Sequence, residues 1–417
     1  MSDLYDLYLR YPRISTDTRR IEPGSIFFAL RGSSFDGNRF AAEALDKGAV
    51  CAVVDDPAVA TDDRFIVVDD TLQALQELAR EHRRALGIPI LVIAGSNGKT
   101  TTKELVARVL AERFEVYATR GNLNNHIGVP LTLLAMTRDV EFGVVETGAS
   151  ACGEIARLAE IAEPNYGLLT NIGRCHLEGF GGPEGVRRGK GELYDFLAAN
   201  GGRAFVRRDD EVLTAMAVER DTMAVEYYSS ALADGLPTAL EGDYNRYNIA
   251  AAVAVGRYFG IDDDRIRHAV ESYTPDNHRS QRVVTPRNTL IIDCYNANPT
   301  SMEASVRHFL AAPLDTRTRK VLILGDMLEL GVWSEEEHTR LIRQATGGEG
   351  STDVDLRLVG GAFARAWERM DYRPGGVKLY PSRVELADEL AAHPVADALV
   401  LLKGSHGVGL EHLVELL

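Results

Sequence analysis

Gly95, Gly98, Lys99 and Thr100 stand at a spacing suited to holding the phosphates of a nucleotide. They lie in ILVIAGSNGKTTTKE, residues 90–104, where an apolar run gives way to a Gly/Ser/Asn turn and then to a helical stretch opened by Lys99 and Thr100. The glycines let the backbone turn sharply and approach a ligand. The helix that follows aims unpaired N–H groups and the positive end of its dipole back at the turn. Lys99 supplies charge for the terminal phosphates, and Thr100 a hydroxyl for Mg²⁺. The commonest phosphate-loop pattern has a glycine where Ile93 stands, so this loop, G-x-x-G-K-T, is a shorter version. The competing reading is a plain strand-to-helix turn with a surface lysine. The order of strand, glycines, lysine and hydroxyl favours the phosphate.

A phosphate loop needs a metal site, and VVETGAS and NIGRCHLEGF offer Glu146 and His176. Glu146 ends an apolar run, where an unpaired carboxylate is costly unless it meets a cation; otherwise it caps or salt-bridges the next element. His176 alone reads as a hydrogen-bonded structural histidine. Lys190 lies between Gly189 and Gly191 in a helix expected from Glu184. Two glycines inside a helix cost about 1 kcal/mol each relative to alanine, which points to the close approach of another group. By residue type alone, Lys190 is a surface lysine. Asn122, Asn124 and Asn125 form an amide-rich loop before an apolar helix, and Asn245 and Asn248 open another, where Asn245 could equally be a cap. In DCYNANP, Asp293, Asn296 and Asn298 follow a buried-looking strand, good chemistry for a base or ribose. Ser15, Asp17, Thr18 and Arg19 could hold a sugar nucleotide, although the bare pattern reads as a solvated turn.

These groups need scaffolds. Residues 1–85 alternate apolar strands at 25–30, 50–54 and 65–68 with helices at 40–47 and 71–86, a small α/β unit. Residues 86–278 give strands at 90–94, 115–118, 142–146, 166–170 and 204–206, with helical stretches between most of them. That pattern predicts a mostly parallel sheet covered on both faces. Residues 279–417 repeat the alternation as a smaller doubly wound, Rossmann-like domain. Its strands fall at 289–293, 320–324, 356–359 and 398–402, and its helices at 301–310, 334–346, 362–370, 382–393 and 410–417. Ligands of such sheets gather at the carboxyl ends of strands, where Glu146, Asp293 and residues 403–406 all stand. The fold class is therefore α/β with three domains.

Length and composition agree. A chain of 417 residues is too long for one core. A net charge of -15 argues against a nucleic-acid partner or an anionic membrane surface. The four cysteines are far apart and form no C-x-x-C pair, so no disulfide framework or zinc site is expected, and a reducing cytoplasm fits. No stretch approaches the ~20 apolar residues of a membrane helix, and the start of the chain lacks a signal pattern, so a soluble, unexported protein is expected.

Taken in order, ISTDTR, AGSNGKTTTKE, GNLNNHIGVPLTLL, NIGRCHLEGF, GKGELYDFL, GDYNRYN, DCYNANPTSM, LGDMLELG and LLKGSHGVGLE resemble the Mur ligases over nearly the whole chain. YNANP and GDMLELG resemble the family's dipeptide-adding branch. The resemblance implies a cytoplasmic, ATP- and Mg²⁺-dependent ligase of peptidoglycan precursor synthesis. It would join UDP-N-acetylmuramoyl-tripeptide to D-alanyl-D-alanine through an acyl phosphate, and a monomer is expected. It further implies ATP binding by residues 95–101, metal ligation by Thr100, Glu146 and His176, and a carbamylated Lys190 that also serves the metal. Asn245, Asn248, Arg279, Asp293, Asn296 and Asn298 would lie at the nucleotide. Ser15, Asp17, Thr18 and Arg19 would bind the UDP-sugar in domain 1–85. Asn124, Asn125, Lys403, Ser405 and His406 would contact substrate. Departures from the family's usual residues are Asn38 and Tyr244 for histidine, and His406 for arginine. Rival readings are a sister ligase adding a diamino acid or glutamate, a folylpolyglutamate synthase, a non-ligating nucleotide switch, and a phosphotransferase.

Overall fold

A computed structural model describes residues 3–240, 242, 244–275, 281–313, 319–347 and 354–417. The expected α/β alternation folds into three sheets. The first is wholly parallel and runs in chain order through Ile14–Ser15, Ile26–Phe28, Cys51–Val54 and Phe65–Val67. The second is also parallel, in the spatial order Ala224–Tyr228, Arg203–Arg207, Tyr166–Leu169, Ile90–Ala94, Phe142–Glu146, Val116–Ala118. The third runs Gln281–Val284, Asn288–Asp293, Ala398–Lys403, Arg319–Gly325, Val354–Val359, Val377–Tyr380, with its first strand antiparallel.

Ile90–Ala94 occupies the middle of the second sheet because all five of its residues are buried. Its Ile and Leu side chains each contribute about 1.5–3 kcal/mol by leaving water. The strand pairs with Phe142–Glu146 on one side and Tyr166–Leu169 on the other, so Glu146 and Thr170 end beside the loop that follows Ala94. In the third sheet Asp293 and Lys403 face each other at the ends of adjacent parallel strands.

The helix Thr71–Leu86 leaves the first unit and is stapled to the second. Asp70 caps it by accepting from Gln73 N, and Gly87 ends it at φ 63. On its buried face His82 contacts the Tyr5 and Tyr8 hydroxyls and the carbonyl of Met136, while Arg83 donates to Ala162 O and Asn165 Oδ1. The principal apolar core passes through all three sheets, from Ile26 and Val53 through Val92 and Val145 to Leu322 and Leu401. Residues Leu410–Leu416, expected as an α-helix, form a 3-10 helix instead. Leu410 and Leu413 are both buried, and a spacing of three is what a 3-10 turn stacks on one face.

Candidate active site

The turn after Ala94 is shaped by its glycines. Gly95 has φ 128, and a Cβ there would lie 2.1 Å from Thr170 Oγ1. Gly98 has φ 80, caps Lys99–Ala111, and a Cβ there would lie 2.5 Å from Asn248 Oδ1. Asn248 also accepts from Thr102 Oγ1 and donates to Asn245 Oδ1, so the two asparagines brace the first turn of the phosphate-loop helix. Asn245 is the first residue of its helix rather than its cap, a place taken by Tyr244. Lys99 folds over its own loop, with Nζ 3.0 Å from Gly95 O and 3.2 Å from Ser96 O.

A cleft of about 890 Å³ opens over this loop. Of the residues expected from sequence, Ser96, Asn97, Gly98, Lys99, Thr100, Thr101, Asn124, Asn125, Glu146, His176, Asn245, Asn248, Asp293, Asn296 and Lys403 line it. Gly95 lies beneath, against Thr170. Glu146 is 1% exposed; its Oε1 accepts from Asn124 Nδ2 at 2.9 Å, and its Oε2 has no hydrogen-bond partner among the described residues. A buried, half-satisfied carboxylate beside a phosphate loop is a donor for a hard cation. Among the described residues no three His, Cys, Asp or Glu side chains cluster to hold a metal by themselves. The Glu146 carboxylate and the Thr100 hydroxyl, both on the cleft wall, are oxygen donors of the kind Mg²⁺ takes alongside substrate phosphates. His176 sits at φ 46, uncommon for a non-glycine residue, and its Nδ1 pairs with the carboxylate of Glu329 from the third unit. Burial lowers its pKa, Glu329 raises it, and Lys190 and Lys99 lower it further.

Lys190 lies behind the cleft wall rather than on it. It is 1% exposed, donates to Ala149 O at 3.0 Å, and rests 5.0 Å from the centre of the Phe180 ring. Burial, with the charge of Lys99 next, pushes its pKa down to about 8. The flanking glycines admit the close packing expected of them: a Cβ at Gly189 would lie 2.5 Å from Phe180, and one at Gly191 2.9 Å from Arg220.

Several expected residues have partners within the protein, and some stand outside the cleft. Arg279 lies outside the described residues. Asp293 and Lys403 form an ion pair with each other, so neither waits unpaired for a ligand. Asn298 caps Pro299–Ala311 with a capping box and exchanges side-chain hydrogen bonds with Asn97, which makes it a clasp between the second and third units. Asn125 accepts from Ile127 N and Gly128 N at the head of Gly128–Leu134. Ser405 holds the loop after Gly325 through Leu328 N, and His406 is exposed, 3.4 Å from Glu411 and stacked beside Tyr295; neither lines the cleft. Ser15, Asp17, Thr18 and Arg19 also stand outside it. Asp17 spends its carboxylate on the backbone and guanidinium of Arg19, which holds its pKa down to about 2. Asn38 is buried against Asp36 and Asp55.

Sequence reasoning missed Arg157, His126, Arg207 and Tyr247 in the cleft wall, and Arg174, whose guanidinium bridges Glu303 and Glu337 of the third unit. Arg174 and Glu329 stood inside motifs read for other residues. Arg157 had no local signal.

Comparison with known proteins matches three family models to successive stretches of the chain. Residues 10–83 match the Mur ligase family, catalytic domain; residues 93–236 the Mur ligase middle domain; and residues 278–406 the Mur ligase, glutamate ligase domain. The chain is 33% identical to the UDP-N-acetylmuramoyl-tripeptide--D-alanyl-D-alanine ligase of Bacillus subtilis (strain 168), over 96% of this chain and 92% of that one. Among solved structures, the MurF ligase from Thermotoga maritima in complex with ADP superposes with TM-score 0.83 at 25% identity, over 100% of this chain and 98% of that one. The UDP-N-acetylmuramoylalanyl-D-glutamyl-2,6-diaminopimelate--D-alanyl-D-alanyl ligase from Acinetobacter baumannii gives 0.79 at 28% identity, over 97% and 92%.

Proposed function

The chain belongs to the Mur ligase family, and from that premise we propose that it joins D-alanyl-D-alanine to UDP-N-acetylmuramoyl-tripeptide with ATP, in peptidoglycan precursor synthesis. One observation carries the reading: the phosphate loop, the half-satisfied Glu146 carboxylate and the strand ends of the third sheet face a single cleft. There the terminal phosphate of a nucleotide and a peptide carboxylate can meet.

A carboxylate is a poor acylating agent until phosphorylated. The tripeptide carboxylate attacks the γ-phosphorus, an O–P bond forms as the bond to ADP's bridging oxygen breaks, and an acyl phosphate results. The dipeptide amine adds to the acyl carbon, and the tetrahedral adduct expels inorganic phosphate and loses a proton, leaving the amide. Positioning and charge neutralisation are the protein's share. Lys99 exchanges its loop carbonyls for phosphate oxygens, and the loop's N–H groups hold the β-phosphate. Thr100, Glu146 and His176 would hold Mg²⁺, which when bound offsets the phosphate charge that repels an incoming carboxylate. Lys190, whose pKa burial pushes down to about 8, holds a far larger share of free amine near neutral pH than an ordinary lysine and so is a competent amine for CO₂: the N–C bond forms, a proton leaves, and the carbamate is an anionic oxygen donor. Asn245, Asn248, Asp293 and Asn296 serve the nucleoside. Residues 1–85 take the UDP-sugar, residues 86–278 ATP, and residues 279–417 adenosine and the incoming dipeptide. Cytoplasmic location and a monomer complete the reading; among the described residues no helix is long and apolar enough to cross a membrane.

Phosphate release from ATP and Mg²⁺ tests this, with the product followed by mass. Release that needs both co-substrates, with a gain of the dipeptide less water, is the expected result. Turnover with a free diamino acid or glutamate instead would assign a sister ligase.

A further inference from the structure

At the end of the cleft nearest the first unit, Arg157 of Glu154–Ala162 lines the wall beside Leu72 and Asn125. The other long cations of the cleft are occupied. Lys403 is paired with Asp293, Arg207 with Asp210, and Lys99 lies on its loop. Arg157 has no carboxylate partner among the described residues. Its hydrogen bond goes to a neutral amide, with Nη2 2.7 Å from Gln76 Oε1, and Gln76, buried in the helix Thr71–Leu86, is itself tied to His126 O at 2.8 Å. Glu154, one turn earlier on the same helix and also in the cleft wall, is turned away to accept from Ser150 N and Ala151 N. The protein thus orients a guanidinium with an uncharged brace and leaves its charge uncompensated, in a chain whose net charge is -15. A guanidinium so held is suited to a carboxylate.

On the ligase reading, with the UDP-sugar on the first unit, the peptide enters the cleft from this end on its way to the phosphate loop. It carries more carboxylates than the one it activates: a glutamyl residue uses one of its two carboxyls in the chain, and a diaminopimelyl residue keeps a second as well. We infer that Arg157, oriented by Gln76, is a subsite for a non-reacting carboxylate of the substrate peptide. The inference rests on the ligase reading above.

The test compares kcat/KM for four UDP-linked tripeptides: the glutamyl carboxyl free or amidated, each with lysine or diaminopimelate in third place. Wild type and Arg157→Ala are assayed with D-alanyl-D-alanine. In wild type, amidation of the engaged carboxyl is expected to cost about tenfold or more, the scale of a charge-assisted hydrogen bond. Arg157→Ala loses about as much on the charged peptide, chiefly in KM, and nearly nothing on the neutral one, with KM for ATP unchanged. A penalty tracking the glutamyl amide assigns that carboxylate; one tracking lysine against diaminopimelate assigns the other. Equal loss on all four peptides would make Arg157 a structural link to Gln76 and overturn the subsite, as would no loss on any. Absence of ligation by wild type on every peptide removes the ligase reading itself and this subsite with it. Gln76→Leu, which leaves the guanidinium but not its brace, should show the same pattern more weakly.

Discussion

Lys99 touches two carbonyls of its own loop, contacts within one turn of chain that contribute little to the resting fold. Lys99→Ala should leave the melting temperature nearly unchanged while ligation falls by about a hundredfold or more, the usual loss when one group aimed at developing charge is removed. Thermal melts and phosphate-release kinetics on the same preparation check both halves. Lys190 makes the opposite case, because its burial is a cost to the fold. Its folded pKa of about 8 lies below the ordinary 10.5, so the penalty on the ammonium is full below pH 8 and fades as pH rises toward 10.5. In CO₂-free buffer the stability of wild type relative to Lys190→Met should therefore rise across that window, by a few kcal/mol at most, since each pH unit between the two values is worth roughly 1.4 kcal/mol. A flat difference in urea melts would show that the amine is not desolvated. If Lys190 carries the proposed carbamate, Lys190→Ala should lose ligation and regain part of it with added short-chain acids, whose carboxylate would stand in for that group.

At the scale of elements, the phosphate loop is built on two contacts that a methyl group would break. Gly98→Ala would push Cβ into Asn248 at a left-handed φ, and Gly95→Ala would drive it into Thr170 Oγ1. Each should weaken ATP binding at least about tenfold and lower stability by roughly 1–3 kcal/mol, the cost of a strained backbone residue. Nucleotide titration and chemical melts measure the two effects separately. This loop was legible in the sequence because every signal in it is local: an apolar strand, two glycines, a lysine and a hydroxyl. The same holds for the central strands Ile90–Ala94 and Phe142–Glu146, buried throughout. Four strands escaped the sequence reading, Ile14–Ser15, Ala224–Tyr228, Gln281–Val284 and Val377–Tyr380, and all four are sheet edges. An edge strand leaves part of its residues in water, so it lacks the continuous apolar run that marks a buried one, and Ile14–Ser15 is two residues long. The site divided in the same way. The motif around Asn298 points to a nucleotide contact, whereas its hydrogen bonds with Asn97, like the meeting of Arg157 with Gln76, arise only in the fold.

Across the whole molecule, the third unit is held to the second by contacts of this distant kind. Arg174 reaches Glu303 at 2.6 Å and Glu337 at 3.1 Å, its backbone N–H donates to Thr300 Oγ1, and His176 meets Glu329 nearby. Glu337 is 5% exposed; burial raises its pKa, and Arg174 opposes the rise. Removing the guanidinium leaves a buried carboxylate without its counter-charge, a loss of roughly 3–5 kcal/mol where the pair is fully buried and less for this partly open one. The pH dependence identifies the cause. A carboxyl whose folded pKa is raised above 4.5 binds its proton more tightly in the folded state, so stability falls as pH rises through the window between the two values. Arg174→Ala raises the folded value further and deepens that fall, so the gap between wild type and mutant should be wider at pH 8 than at pH 5. Because the lost contact ties elements of the second unit to elements of the third, the mutant should also be more extended in small-angle scattering at pH 8, and contract when an ATP analogue and UDP-tripeptide fill the cleft. A gap independent of pH, with unchanged scattering, would place the role of Arg174 inside the second unit. Contraction in the mutant alone would mean that in wild type these ion pairs already hold the closed arrangement needed to keep an acyl phosphate from water.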